Sequence, residues 1–190
     1  MPVSRFESRI AAPVERVFAF HESADALAAL TPPWERVTIE RAPTSLAVGT
    51  VVVLVTHVGP IPLRWVAEHV AYEKDRLFVD RQVSGPFARW EHRHVFAPIG
   101  DDACLLTDDI RWALPLGLLG GLGAPLVRRK LDRLFAFRHA VTRERCERLL
   151  LDREPLLDRS STRGESKSSS TPCARLFGGF ADCRYGHGDC

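Results

Sequence analysis

Long apolar runs are absent from this 190-residue sequence. The longest, Trp112 to Val127, is interrupted by Pro115, Pro125 and four glycines. It is too short and too broken to form a membrane-spanning helix. No basic start followed by an apolar stretch marks a secretory signal, so a cytoplasmic location with reduced thiols is the expectation. An excess of one charge is missing as well. The formal net charge is +2, which gives no strong field for nucleic acid or anionic membrane. Lysine is scarce beside arginine, and the arginines are spread along the chain without forming a phosphate-binding cluster. The five cysteines include no C-x-x-C pair, and the sequence has no P-loop, dinucleotide fingerprint or nucleophile elbow. Nucleotide-binding and serine-hydrolase chemistry therefore have no support.

What is there is an ordinary globular balance, 45% hydrophobic and 26% charged, at a length that suits one domain plus a tail. Hydrophobic periodicity stops near Arg153, which sets a domain at residues 1–152 and a tail at 153–190. The polar run Ser160 to Pro172 cannot bury enough surface to order itself. Cys173, Cys183, His187 and Cys190 in the tail match no common zinc spacing, so a disordered tail is expected. No feature specifies an oligomeric state.

Within the domain, Val3 to Ile10 suits a first strand. Pro13 opens a helix in which Val14, Val17, Phe18 and His21 share one face. A second short helix over Asp25 to Leu30 is stopped by the prolines of TPPW, residues 31–34. Six strand-like runs follow, at 37–41, 50–58, 63–72, 77–84, 89–97 and 103–112. Their short connections argue for an antiparallel meander. After the glycine-rich apolar loop Ala113 to Pro125 comes a long helix over Leu126 to Asp152. Val127, Leu131, Leu134, Phe135, Val141 and Leu149 make its apolar stripe, with Arg138 and Arg145 near the middle. The expected fold class is α+β: a bent antiparallel sheet of about seven strands wrapped around a long C-terminal helix.

One strand carries the sharpest pattern. Trp90, His92, His94 and Phe96 alternate, so all four share one sheet face. Two imidazoles on one face suit metal ligation, but a metal needs a third ligand. His57, His69, Asp80 and Asp108 lie on other strands, and their faces are not fixed by the pattern. Alternatively, a histidine in an apolar surrounding can serve as a base, or the pair can be hydrogen-bonded within a pocket wall. Asp80, Gln82 and Asp108 suit the solvated face, unless one of them pairs with Arg138. Such a pair is favoured over an Arg138 left free for a ligand carboxylate. Trp34, Trp65, Trp90 and Trp112 are each core candidates, and as a set they suit a cavity for a flat, greasy ligand.

Several stretches together resemble the START-like, or SRPBCC, superfamily of helix-grip proteins, which includes polyketide cyclases, plant allergens and lipid carriers. They are Pro13 to Phe18, LTPPW (residues 30–34), FVDRQVSGPFARWEHRHVF (78–96), DDIRWALPLG (108–117) and FAFR (135–138). The resemblance covers residues 3–152 and implies a ligand cavity between sheet and helix, worked without metal or other cofactor. The expectation is non-covalent binding of a hydrophobic small molecule such as a lipid, polyketide or aromatic metabolite. Its site would comprise Trp34, Trp65, Asp80, Trp90, His92, His94, Phe96, Trp112, Phe135 and Arg138. One alternative is a cyclase/dehydratase with His92 or His94 as acid/base. The other is a regulatory module, similar to cell-division inhibitors, that uses the Ala113 to Pro125 loop. That loop could also serve as a lid or touch a membrane transiently.

Overall fold

The computed structural model of the chain describes residues 2–58, 60–115 and 123–151. The tail after residue 151 and the middle of the Ala113 to Pro125 loop (116–122) lie outside the described residues. The expectations of tail disorder, a mobile lid and membrane contact fall there.

Strand β1 (Val3–Ile10) leads into helix α1 (Val14–Glu22) and the single turn α2 (Ala26–Ala29). Pro13 is the N-cap of α1, one residue earlier than its expected place inside the helix. Its carbonyl accepts from the amides of Arg16 and Val17. Then come β2 (Thr38–Arg41), β3 (Val51–Val58), β4 (Ile61–Glu73), β5 (Leu77–Ser84), β6 (Arg89–Ile99), β7 (Ala103–Ala113) and α3 (Ala124–Leu151). Every neighbouring pair of strands is antiparallel, in the order β1-β7-β6-β5-β4-β3-β2. The meander is therefore closed on one side by the first strand. Register shifts at Ile39/Arg41, Val66/Ala67 and His69/Ala71 are the bulges that let such a sheet bend. Asp75 adopts φ 59° in the tight β4–β5 turn, a conformation that Asp tolerates better than most residues.

The pleat sorts the faces. On β6, Trp90, His92, His94 and Phe96 are all buried; on β7, Cys104, Leu106, Asp108, Ile110 and Trp112 are. The outer face carries charge, with Arg81 and Glu91 at 2.9 Å and Arg5 and Glu7 at 2.6 Å. A recess of about 300 Å³ on that face is lined by Arg5, Glu91, Arg93, Asp109 and Arg111 among others.

Along α3 the buried residues are Leu131, Phe135, His139, Thr142 and Cys146, a stripe at steps of four, four, three and four. It differs from the expected stripe: Val141 is only half-buried and Arg145 is exposed, 4.0 Å from Asp25. Sheet and helix enclose two apolar clusters. One gathers Ile10, Val17, Phe18, Phe78, Phe96, Leu106 and Cys146. The other gathers Trp90, Ile110, Trp112, Leu131 and Phe135, fringed by the half-buried Trp65, Phe87, Leu114 and Val127. On β6, β7 and α3 alike, the residues between these clusters are polar: His92 and His94, Asp108, and His139. A polar belt thus crosses the core.

Candidate functional site

The belt is assembled by register. His92 sits opposite Asp80 on β5, and His94 opposite Asp108 on β7. Contrary to the solvated-face expectation, Asp108 is buried and Asp80 largely so; both point inward. His92 donates Nε2–H to Asp108 Oδ1 at 2.7 Å, and its Nδ1 lies 3.3 Å from Asp80 Oδ2. His94 Nε2 is 3.3 Å from the same Asp80 oxygen. Its Nδ1 is 2.8 Å from Asp108 Oδ1 but poorly aligned for a hydrogen bond. Asp108 Oδ2 takes a third imidazole, His139 Nε2, at 2.6 Å, and Ser8 Oγ meets His139 Nδ1 at 2.9 Å. Phe78 stacks on His94 (3.9 Å between centroids, 16°), and Phe135 meets His92 edge-on at 5.2 Å. The rings are therefore held by packing as well as by hydrogen bonds.

Charges this deep persist only in company. Burial alone would raise the Asp108 carboxyl, but the neighbouring His94 and the hydrogen bonds from His139 and His92 hold it well below the usual carboxylate range. Burial likewise opposes ionisation of Asp80, and His92 and His94 outweigh it, so this carboxyl also stays far below its ordinary value. Burial pushes the His92 imidazolium down, yet Asp80 and Asp108 together lift it to about 9. His21, whose Nδ1–H donates to the Val17 carbonyl at 2.8 Å, has no carboxylate in contact among the described residues, and burial drives it to about 4. The thiols of Cys104 and Cys146 are pushed up by burial to about 11 and about 12, which favours the protonated thiol in both near neutral pH.

Arg138 does not form the expected carboxylate pair. Its Nε donates to the Leu30 carbonyl at 3.1 Å, its guanidinium carbon lies 5.4 Å from the Phe135 ring centroid, and no carboxylate among the described residues is in ion-pair contact with it. The reason is that His139 occupies Asp108 Oδ2 while His92 and His94 crowd Oδ1. Burial pushes the guanidinium down, and the fields of Asp108 and Asp80 partly restore it.

The aromatic residues divide. Trp65, Phe87 and Trp90 touch in series, with centroids 5.5 and 4.8 Å apart from Phe87 to its two partners and 4.9 Å between the tryptophans. Trp90 leads on to His92 at 6.3 Å. Trp65 Nε1 is buried without a hydrogen-bond partner among the described residues. Trp112 is fixed to Ser4 through its indole N–H at 3.1 Å. Phe96 belongs to the other apolar cluster, against Phe18 at 5.0 Å. Trp34 does not join the site: it is 41% exposed, packed on Phe137 and under Arg133. Gln82 points inward but binds the Phe87 backbone carbonyl at 2.7 Å. His57 is engaged with the Arg36 carbonyl. His139 and Ser8 were not anticipated. The signal for His139 was its place in the Phe135, His139, Thr142, Cys146 spacing; nothing in the sequence marked Ser8.

Solved structures of low sequence identity share this architecture. A protein of Thermus thermophilus matches with TM-score 0.62 at 21% identity, over 78% of this chain and 99% of its own. An aromatase/cyclase from a Streptomyces species matches with TM-score 0.59 at 16% identity, over 78% of this chain and 95% of its own. Norcoclaurine synthase from Thalictrum flavum, in complex with dopamine and hydroxybenzaldehyde, gives TM-score 0.57 at 16% identity, over 80% and 88%. No curated protein sequence matches the chain. At these identities the likeness is one of fold alone, the helix-grip architecture. The family model for polyketide cyclase / dehydrase and lipid transport matches residues 10–137, most of the described body and all of the belt except His139 and Ser8. The chain belongs to that polyketide cyclase / dehydrase and lipid transport family.

Proposed function

We propose that the protein binds a hydrophobic small molecule carrying one polar, preferably anionic, end. The observation that carries this reading is the aromatic path from half-buried Phe87 and Trp65 through Trp90 to the polar belt. Half-buried Leu114, Ala124 and Val127, packed against the same cluster, add apolar surface that a greasy body can cover. Trp65 Nε1, a buried donor without a partner among the described residues, can meet a ligand acceptor. At the inner end, the guanidinium of Arg138 has no carboxylate in ion-pair contact among the described residues and can hold an acid or enolate group. Apolar burial supplies the affinity, and the polar groups set orientation. Titration with the anionic aromatic probe 1-anilinonaphthalene-8-sulfonate tests this. Arg138→Met should weaken binding by roughly 10–100-fold, the value of one lost charge-assisted hydrogen bond, while Trp34→Ala should leave it unchanged. Equal affinities for wild type and Arg138→Met would reject the orientation.

A second reading is favoured by the imidazoles lying against two ionised carboxylates: a cyclase/dehydratase in which His92 or His94 moves a proton at an enolisable carbonyl. His92→Ala and His94→Ala would then abolish turnover of a poly-β-ketone substrate with binding nearly intact. Turnover that survives both changes rules this reading out.

A further inference from the structure

We propose that Asp80, His92 and His94 form a site for a divalent transition-metal ion, with Asp108 as the group that orients its two imidazoles. The three side chains offer donor atoms that all lie within 4.8 Å of one another. His92 Nδ1 and His94 Nε2 are each 3.3 Å from the same oxygen, Asp80 Oδ2. Ligand atoms on a metal at ~2.0–2.1 Å, subtending near-tetrahedral angles, are themselves about 3.3 Å apart. These two nitrogen–oxygen spacings suit a zinc-sized ion.

The far side of each ring makes the case stronger. His92 Nε2 and His94 Nδ1 face one oxygen, Asp108 Oδ1, at 2.7 and 2.8 Å. A carboxylate behind a ligating imidazole holds the proton on the far nitrogen and turns the other lone pair toward the metal. His92 already has Nε2–H on Asp108, and a metal would take the place of the proton on its Nδ1. His94 needs its proton on Nδ1 and a rotation of the ring that aligns it with Asp108 Oδ1, which would engage a buried nitrogen that lacks a hydrogen bond among the described residues. Asp108 is in turn anchored at Oδ2 by His139, and His139 by Ser8. Phe78 clamps His94 from its face.

The charge also fits. Ligation would displace the proton that Asp80 and Asp108 hold on His92; two carboxylates beside one guanidinium and two neutral imidazoles would then leave the buried site net negative, which a divalent cation would offset. Two histidines and one carboxylate on one side of an ion leave its other positions open. The polar end of a ligand could occupy one of them, but metal binding requires no ligand.

Cobalt(II) titration of the full-length, chelator-stripped protein tests the site, since cobalt reports its ligands by colour. The expected result is one equivalent of Co²⁺ with visible d–d bands and no sulfur-to-cobalt charge-transfer absorption. Serine at Cys173, Cys183 and Cys190 together should leave these bands unchanged. Asp80→Asn should weaken Co²⁺ binding at least ~100-fold, and Asp108→Asn roughly 10–100-fold, the usual loss for a group behind the ligands. Should either variant fail to fold, the wild type decides: stoichiometric Zn²⁺ should raise its Tm and displace Co²⁺. The proposal is overturned by absence of d–d bands in the wild type, by bands that vanish in the triple-serine protein, or by equal affinity in folded Asp80→Asn. No organic ligand is present in the test, so its failure is separable from failure of the ligand-binding reading.

Discussion

Asp108→Asn should destabilise the protein far more than its neighbour Asp109→Asn. Asp108 receives His92 and His139 at 2.7 and 2.6 Å and has His94 Nδ1 at 2.8 Å, all inside the core. A carboxylate accepts on both oxygens, whereas an amide accepts on one and presents N–H groups on the other. Asparagine must therefore set a donor against either His139 or the His92/His94 pair. Breaking a buried charge pair typically costs about 3–5 kcal/mol. At about 2–4 °C per kcal/mol for a domain of this size, Tm should fall by roughly 6–20 °C. Asp109 points to the outer face, 3.7 Å from an exposed Arg5, and its loss should stay within about 0.5 kcal/mol.

The pH dependence supplies a second signature, measured with chelator present. His92 is raised from its ordinary value of 6.5 to about 9, so the folded state binds the proton more tightly than the unfolded chain. That contribution is fully present below pH 6.5 and is lost as pH rises toward 9. Asp108→Asn should flatten this alkaline decline. Urea denaturation of the three proteins across about pH 6–9.5 measures both effects. An Asp108→Asn cost below about 1 kcal/mol, with an unaltered alkaline limb, would refute the reasoning.

Further outcomes follow from the same geometry. His21 titrates near 4 against an ordinary 6.5, so it contributes no penalty above pH 6.5 and an increasing one as pH falls toward 4. His94, Asp108 and His139 face it from the other elements. In urea melts His21→Leu should show a flatter acid limb between those pH values, and an unchanged limb would contradict this assignment. Trp90→Ala, removing a buried ring from the aromatic path, should cost about 3–5 kcal/mol and abolish quenching of Trp65 fluorescence by an aromatic ligand. Trp34→Ala, at a half-exposed ring, should cost no more than about 1–2 kcal/mol by thermal melt.

The alternation of Trp90, His92, His94 and Phe96 was legible because a strand has a fixed period of two. So was the element order, since turn residues separate the strands. The partners were not legible. Which imidazoles Asp80 and Asp108 meet depends on the register of β6 against β5 and β7. Arg138 looked like the aspartates' partner because charge complementarity is visible in sequence; the competition from three imidazoles for one carboxylate is not. Trp34 was grouped with the other tryptophans by residue type, yet it follows two prolines that turn the chain outward onto α3. His139 lay in view within the helical stripe, where long apolar residues drew the reading elsewhere.

Native mass spectrometry of the full-length protein purified from its own host tests the ligand-binding claim most directly. The account predicts a chain mass plus a discrete non-covalent adduct, released on denaturation and identifiable as a hydrophobic molecule with an acidic or enolisable end. The adduct should be depleted in Arg138→Met. Only the bare chain mass, together with unchanged Trp65 and Trp90 indole NMR signals across a panel of lipids and aromatic polyketides, would contradict it.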